Sequence, residues 1–152
     1  MKPPCRIYLD DVRTPTGDNW IVVRNYDEFV VEVNKIGLEN IDIISLYHDL
    51  GDTAMKEYFD NVSPNYTLDY NNIKEKTGYD AIKFLVALFH NTNEERFNMS
   101  RSERKAHKFV FPIVYVHSAN PIGASNIMGF CNNFLMNEGQ AQTCVRVRIP
   151  HN

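Results

Sequence analysis

Three apolar stretches of this chain each end directly at a cluster of polar residues. They span residues 6–9, 41–47 and 109–116, and they are followed by Asp10-Asp11, His48-Asp49 and His117-Ser118-Ala119-Asn120. Short apolar runs of this kind are typical of buried strands in a parallel sheet. The carboxyl ends of parallel strands open onto one shared crevice, where open α/β sheets bind their ligands. The pattern therefore predicts a sheet with carboxylates, imidazoles and a hydroxyl gathered at one edge.

The rest of the chain alternates predicted strands with predicted helices. Strands are expected at about residues 5–9, 20–24, 41–47, 109–116 and 143–149, and helices from a cap at 25 or 27 to about 36, from 77 onward, and at about 125–137. This alternation favours a parallel sheet covered on both faces, and five strands suit the flavodoxin-like order 2-1-3-4-5. We expect one α/β domain, residues 1–152, a three-layer sandwich with insertions at about residues 52–76 and 91–108.

Composition narrows the class of protein. The net charge is −3, so bulk charge indicates no polyanion-binding surface and no duplex DNA partner is expected. The three cysteines, Cys5, Cys131 and Cys144, show no zinc-site spacing and are expected to stay reduced. The sequence shows no signal peptide and no long apolar span, so we expect a cytoplasmic protein without a membrane partner.

The adjacent acids Asp10 and Asp11, together with Asp49 at a neighbouring strand end, predict a metal site. Aspartate is also common in turns and at helix caps, and that interpretation stays open for each residue taken alone. Three carboxylates in one crevice, however, repel one another unless a cation neutralises them. Mg²⁺ prefers carboxylate oxygens and keeps waters that a substrate phosphate can replace, so Mg²⁺ (or Mn²⁺) is the expected cofactor.

The residues beside the acids have side chains suited to phosphate chemistry. His48 and His117 are candidates for acid–base catalysis because imidazole titrates near neutral pH, although a lone histidine in such a position is more often structural. Ser118 and Asn120 offer donors to phosphate oxygens near a predicted helix start, which favours anions. Arg13 can reach a phosphate, or it can pair with Asp11.

Four motifs occur in order along the chain: Leu9-Asp10-Asp11-Val12-Arg13, His48-Asp49-Leu50-Gly51, Thr77-Gly78-Tyr79-Asp80 and His117-Ser118-Ala119-Asn120-Pro121-Ile122-Gly123. Together they resemble the cyclic-phosphate-processing receiver family, a modified branch of the response-regulator receiver domains. The resemblance implies that Asp10 and Asp11 bind the metal and that Asp49 takes the position of the phosphoacceptor aspartate. It places His117-Ser118 where receivers carry a Ser or Thr that contacts the phosphoryl group. It also implies a role in processing cyclic phosphate ends or cyclic nucleotides, in the company of RNA repair.

Two features depart from an ordinary receiver. Residues 146–151 contain no lysine where receivers carry one, which weakens the expectation of phosphorelay signalling. The insertions are also larger than a minimal receiver needs. We expect residues 52–76 to form either a lid, with Tyr58, Tyr66 and Tyr70 available to stack on a base, or a mobile surface loop. The basic residues of the second insertion are expected to add phosphate contacts or to form a solvated face.

The leading hypothesis is a metal-dependent phosphoesterase that acts on a cyclic phosphate of a nucleotide or of an RNA end. Its catalytic residues would be His48, Asp49 and His117, its substrate-binding residues Arg13, Ser118 and Asn120, and its metal ligands Asp10, Asp11 and Asp49. Asp49 can instead attack the phosphorus and form an aspartyl-phosphate. Two other hypotheses stay open: a receiver-like switch phosphorylated at Asp49, and a protein that binds a cyclic nucleotide without cleaving it.

Overall fold

A five-stranded parallel sheet forms the centre of the molecule. The computed structural model describes residues 3–17, 19–96, 100, 102–103 and 109–151. The strands are β1 (Arg6–Leu9), β2 (Ile21–Val23), β3 (Ile43–Leu46), β4 (Ile113–Val116) and β5 (Val145–Arg146). Their order is β2-β1-β3-β4-β5, and every neighbouring pair is parallel. The predicted fold class and strand order are confirmed.

The long helices pack as one layer against this sheet. The helices are α1 (Tyr26–Ile36), α2 (Asp52–Glu57), α3 (Ser63–Asn65), α4 (Gly78–Arg96) and α5 (Pro121–Asn137). The connections through α1, α4 and α5 all step the same way along the sheet, so right-handed crossovers place these helices on one face. Contacts of α4 with both α1 and α5 agree with this layer. No helix in the described part of the chain is long and apolar enough to cross a membrane.

The opposite face of the sheet is covered differently from what the alternation predicts. The described residues between β1 and β2 contain no helix, and the segment after β5 is irregular. Trp20, from the β1–β2 connection, packs edge-on against Tyr8 on this face, with ring centroids 5.7 Å apart. Among the described residues, helices therefore cover only one face of the sheet, because the short connection between β1 and β2 contains no helix.

The register of the three central strands aligns their carboxyl ends. Leu9 pairs with Leu46, and Leu46 pairs with Val116. The pairing continues one residue further, since the N–H of His117 donates to the carbonyl of Leu46 (3.0 Å). The polar residues that follow β1, β3 and β4 therefore leave the sheet at the same level.

All five strands are shorter than predicted, and β4 and β5 differ most from their predicted ranges. Phe109 and Phe111 are buried, yet they precede β4 and pack against Phe89 with centroid distances of 4.7 and 5.7 Å. Before β5, the backbone of Cys144 is bonded at both N–H (2.7 Å) and carbonyl (3.0 Å) to the side chain of Asn132. The predicted strand residues here are apolar because they fill the core, not because they extend the sheet.

Two helices are longer than predicted. α5 begins at Pro121 instead of about residue 125, because Asn120 caps it by accepting the N–H groups of Ile122 (3.1 Å) and Gly123 (2.9 Å). α4 runs to Arg96 and takes up the start of the second insertion. The basic residues expected to add phosphate contacts there lie outside the described residues: Arg101, Arg104, Lys105, His107 and Lys108.

The first insertion, for which the sequence left open a lid or a mobile surface loop, contains the short helices α2 and α3 and is held together by hydrogen bonds. Glu57 at the end of α2 is 3% exposed and accepts hydrogen bonds from the N–H of Asp69 (2.7 Å) and from Asn72 Nδ2 (3.0 Å). Glu75, near the end of the insertion, accepts the N–H of Ala54 at its start (2.6 Å). The carboxylates of Glu57 and Glu75 therefore hold the segment together. No local sequence pattern predicts these contacts.

Candidate functional site

Asp10 is a fully buried carboxylate at the end of β1. Its Oδ1 accepts the N–H groups of Val12 (3.0 Å) and Arg13 (2.9 Å), and its Oδ2 accepts from Nε2 of His117 (3.2 Å). Burial would raise the pKa of Asp10, but the hydrogen bonds from His117 and from these backbone groups outweigh it and hold the pKa below its ordinary value. Asp10 is therefore an ionised group that shapes the loop after β1.

His117 is a buried, neutral imidazole with a partner on each ring nitrogen. Because ionised Asp10 only accepts, Nε2 carries the proton and Nδ1 accepts from the hydroxyl of Ser45 (2.6 Å). The ring stacks on Tyr8, with centroids 4.2 Å apart. The small Ser45 on β3 leaves room for Tyr8 from β1 and His117 from β4 to meet above it. Burial lowers the pKa of His117 although Asp10 opposes the shift.

Acid is expected to destabilise the metal-free protein through His117. Below the ordinary histidine pKa of 6.5, the unfolded chain takes up a proton that buried His117 does not. The free energy of unfolding should therefore fall as the pH falls, by at most about 1.4 kcal/mol per pH unit for one proton. Asp10 adds to this fall only below its ordinary pKa of 3.8, whereas Asp11, whose pKa is raised, acts in the opposite direction.

Urea denaturation of the wild-type protein and of His117→Gln, between about pH 5 and pH 7, measures this effect. The variant should lose most of the slope of unfolding free energy against pH. Equal slopes in the two proteins would assign the dependence to another group.

Asp49 is held by its neighbour His48 and by the loop after β4. It is 2% exposed, and its Oδ1 accepts from Nδ1 of His48 (2.7 Å) and from Nδ2 of Asn120 (3.2 Å). His48 lies against α5, where a Cβ on Gly123 would come within 2.4 Å of its Cγ. Position 123 therefore requires glycine for close approach. Asn120 uses both ends of its amide, since its Oδ1 caps α5.

Tyr70 connects the first insertion to this group. Its hydroxyl lies 3.0 Å from Nε2 of His48 and 3.0 Å from Nδ2 of Asn126 on α5. Its ring stacks on Tyr79, with centroids 5.3 Å apart. Hydrogen bonds therefore run from α5 through the insertion to His48 and Asp49, and both ring nitrogens of His48 have protein partners.

The three insertion tyrosines predicted to stack on a base lie in different surroundings. The ring and hydroxyl of Tyr70 are engaged within the protein. Tyr58 packs edge-on against Phe59, and Tyr66 is 70% exposed in the left-handed region, at φ 54°.

Asp11 is the third carboxylate of the predicted metal site. Partial burial raises its pKa, and the nearby charges of Asp10 and Asp49 raise it further. A divalent cation would relieve this repulsion. Within the described ranges, no three His, Cys, Asp or Glu side chains form a ready-made cage. Mg²⁺ often binds through only one or two carboxylates together with waters and phosphate, so the pair Asp11 and Asp49 fits that mode, while both oxygens of Asp10 already have partners.

A pocket of about 650 Å³ lies beside the carboxylates, on the sheet face opposite the helices. Tyr8, His117 and Ser118 are among the residues that line it. Arg146 donates from Nε (3.1 Å) and Nη2 (2.8 Å) to the carbonyl of Ser118. Three further basic residues line the pocket: Arg13, Arg148 and His151. The carboxylates themselves do not line it, so acidic and basic groups occupy adjacent regions.

Sequence reasoning missed several residues of this region. The missed residues include three in the basic run 146–151: Arg146, Arg148 and His151. Only the lack of a lysine in this run was used as a sequence signal. Arg24 was also missed. Its guanidinium donates to the carbonyls of Asp10 (3.2 Å) and Arg13 (2.5 Å) and so fixes the loop after β1. The basic run was the one available signal, whereas nothing near Arg24 in the sequence indicates its role.

The structure brings the predicted residues to one edge but divides them between two faces. His117 stacks on Tyr47 on the open face, with centroids 5.6 Å apart. His48, which follows Tyr47 in the chain, points to the opposite face of the sheet and contacts α5. The two histidines therefore do not face one another across a single cavity, as their positions after neighbouring strands had suggested.

The parallel sheet with carboxylates at its carboxyl edge defines a receiver-type α/β protein. The chain matches the model of the cyclic-phosphate processing receiver domain over residues 5–133, and it belongs to that family. Neither the curated proteins nor the solved structures include a significant match. Because the matched region ends within α5, β5 and the segment after it lie beyond it.

Proposed function

We propose that this receiver domain is a metal-dependent phosphoesterase that opens a cyclic phosphate of a nucleotide or of an RNA end. One observation carries the proposal: the loop after β4 forms hydrogen bonds with the carboxylates of Asp10, after β1, and of Asp49, after β3. His117 contacts Asp10 at 3.2 Å, and Asn120 contacts Asp49 at 3.2 Å. Carboxylates, a serine hydroxyl and an arginine thus converge at one edge, the place where open α/β sheets bind ligands.

Asp11 and Asp49 are the residues best suited to hold Mg²⁺ or Mn²⁺, with Asp10 beside them. When bound, such an ion polarises a phosphoryl oxygen and lowers the pKa of a water. Asp10 meanwhile keeps the loop after β1 in place, so that Arg13 is presented at the pocket. Its own oxygens are occupied by Val12, Arg13 and His117.

Asp49 is oriented for one of two roles. Its Oδ1 is fixed by His48 and Asn120, while no hydrogen bond from a described residue reaches its Oδ2. Oδ2 can serve as a ligand, or it can attack the phosphorus. In the second case an Oδ2–P bond forms, the P–O bond to one ribose oxygen breaks, and that oxygen takes a proton from water. Hydrolysis of the acyl phosphate then restores Asp49.

The two histidines and Asn120 act in this proposal as positioning residues. His48 and Asn120 hold Asp49, and His117 holds Asp10. Arg13 and Ser118 remain as the residues proposed to contact phosphate oxygens, because both line the pocket. Guanidinium groups suit this task through their paired N–H donors.

The test is incubation with 2′,3′- and 3′,5′-cyclic phosphates of the four common nucleosides, with Mg²⁺, with Mn²⁺, and with a chelator. We expect ring opening of at least one substrate class that is lost on chelation. Absence of turnover under every condition would overturn the proposal.

The same assay separates the rival functions. Cyclic nucleotide bound tightly and recovered intact would identify a binding protein. A stable acyl phosphate formed from acetyl phosphate and lost in Asp49→Asn, without turnover, would identify a receiver-like switch. The lack of lysine in residues 146–151 counts against that switch.

A further inference from the structure

The segment after β5 crosses the open face of the sheet as a strap, residues 147–151. At one end the N–H of Val147 donates to the carbonyl of Val116 (2.9 Å). At the other, the carbonyl of Pro150 accepts the N–H of Thr16 (2.9 Å), and His151 bridges antiparallel to Pro15. Strands β5 and β1 stand three spacings apart, about 14 Å. An extended chain of about five residues covers that distance, so the strap runs nearly straight.

The strap and the loop after β1 surround the pocket with arginines that have no acidic partner. Within the described ranges, no Asp or Glu forms an ion pair with Arg13, Arg146 or Arg148. Arg13 lies over the ring of Tyr47 (4.9 Å), and Arg146 holds the carbonyl of Ser118. Arg148 is exposed and makes no hydrogen bond with the described residues. In a protein of net charge −3, three guanidinium groups that form no ion pair with a described residue make the surroundings of this cavity locally basic and suited to an anion.

We propose that the strap side of this pocket, at Arg146 and Arg148, is a second phosphate subsite, which selects ligands that carry another phosphate group besides the cyclic one at Arg13 and Ser118. The proposal rests on the proposed function for the identity of the first group. A cyclic phosphate bears one negative charge, fewer than the three guanidinium groups that line the pocket. The volume of about 650 Å³ suits a nucleotide-sized ligand better than a lone phosphate. Planar arginine forks match phosphate oxygens.

The second phosphate can come from two sources that share this chemistry. It can be the 5′-phosphate of a mononucleotide, or the phosphodiester next to the cyclic end of an RNA strand. Three ligands separate these cases: adenosine 2′,3′-cyclic phosphate, its 5′-phosphorylated form, and the dinucleotide ApA with a terminal 2′,3′-cyclic phosphate. Calorimetry on the full chain gives the dissociation constant of each.

Wild-type protein should bind at least one of the two ligands with a second phosphate group about ten-fold more tightly than the singly charged one. Arg148→Gln should remove most of that preference and leave affinity for the singly charged ligand within about two-fold. Arg148 is exposed, so its replacement should not affect folding. Lys35→Gln, an equal charge change in the last turn of α1, is the matched control and should behave as wild type.

Equal affinity for all three ligands in the wild-type protein would overturn the subsite, as would an Arg148→Gln preference unchanged from wild type. Absence of binding to every ligand would also overturn it. A preference that depends on Arg148 without any turnover would leave the subsite standing while the phosphoesterase proposal fails. Turnover without such a preference would leave the phosphoesterase proposal standing while the subsite fails.

Discussion

Replacing Asp49 with asparagine is expected to reduce turnover of the cyclic phosphate on the order of a thousand-fold, with the fold intact. Asparagine keeps an Oδ1 that accepts from His48 and Asn120, which now lie 2.7 and 3.2 Å from it. It loses the charge and the second carboxylate oxygen. Both proposed roles of Asp49, holding the metal and attacking the phosphorus, need that oxygen as an anion. Initial rates with the best substrate of the panel measure the loss.

The matched control is Asp52→Asn, which makes the same charge change at the exposed start of α2. Its rate should stay within about two-fold of wild type. Turnover by Asp49→Asn within about ten-fold of wild type would remove Asp49 from the chemistry. Rapid acid quenching of the wild-type reaction followed by mass measurement separates the two roles, because only direct attack leaves a nucleotide on Asp49.

Replacing Asp10 with alanine is expected to cost about 3–5 kcal/mol of folding free energy. The change leaves four buried or half-buried donors without their acceptor: the N–H groups of Val12 and Arg13, Nε2 of His117, and the more distant hydroxyl of Tyr8 (3.5 Å). Asp10→Asn keeps Oδ1 for the two backbone groups and loses only the acceptor oxygen that faces His117 and Tyr8, so it should cost less, about 1–2 kcal/mol. Urea denaturation without added metal measures both variants.

Glu95→Ala removes an exposed carboxylate from α4 and should change the unfolding free energy by no more than about 0.5 kcal/mol. A cost below about 1 kcal/mol for Asp10→Ala would show that water replaces the lost acceptor readily. In that case Asp10 would not be the residue that fixes the loop after β1.

Much of the fold follows from local patterns. The apolar runs before Asp10, His48 and His117 predict buried strands, and the helix-strand alternation predicts their order. The limits of the prediction are equally physical. Phe109 and Phe111 have strand-like composition, but they fill the core beside Phe89 outside the sheet. Composition reports burial, and burial alone does not distinguish a strand from core packing.

The sequence predicted which polar residues follow β1, β3 and β4, but it did not predict their hydrogen-bond partners. Residue types that bind metal and phosphate stand after the strands, and the structure brings them to one edge. Whether a histidine has a free nitrogen depends on its partners, however. His117 is bonded to Asp10, 107 positions away in the chain, and His48 is bonded to Tyr70 in the insertion. No local pattern encodes such pairs.

By itself, the sequence determined the parallel sheet, its strand order and the chemistry of its carboxyl edge, because periodicity and residue type act over a few neighbouring positions. Only the tertiary structure decided which face each side chain occupies, which carboxylates are already engaged, and that the chain end returns over the sheet. Thr16 and Pro150, which fasten that strap, are 134 positions apart. Contacts over such distances form only when the whole chain folds. They place the basic residues of the strap along one side of the pocket.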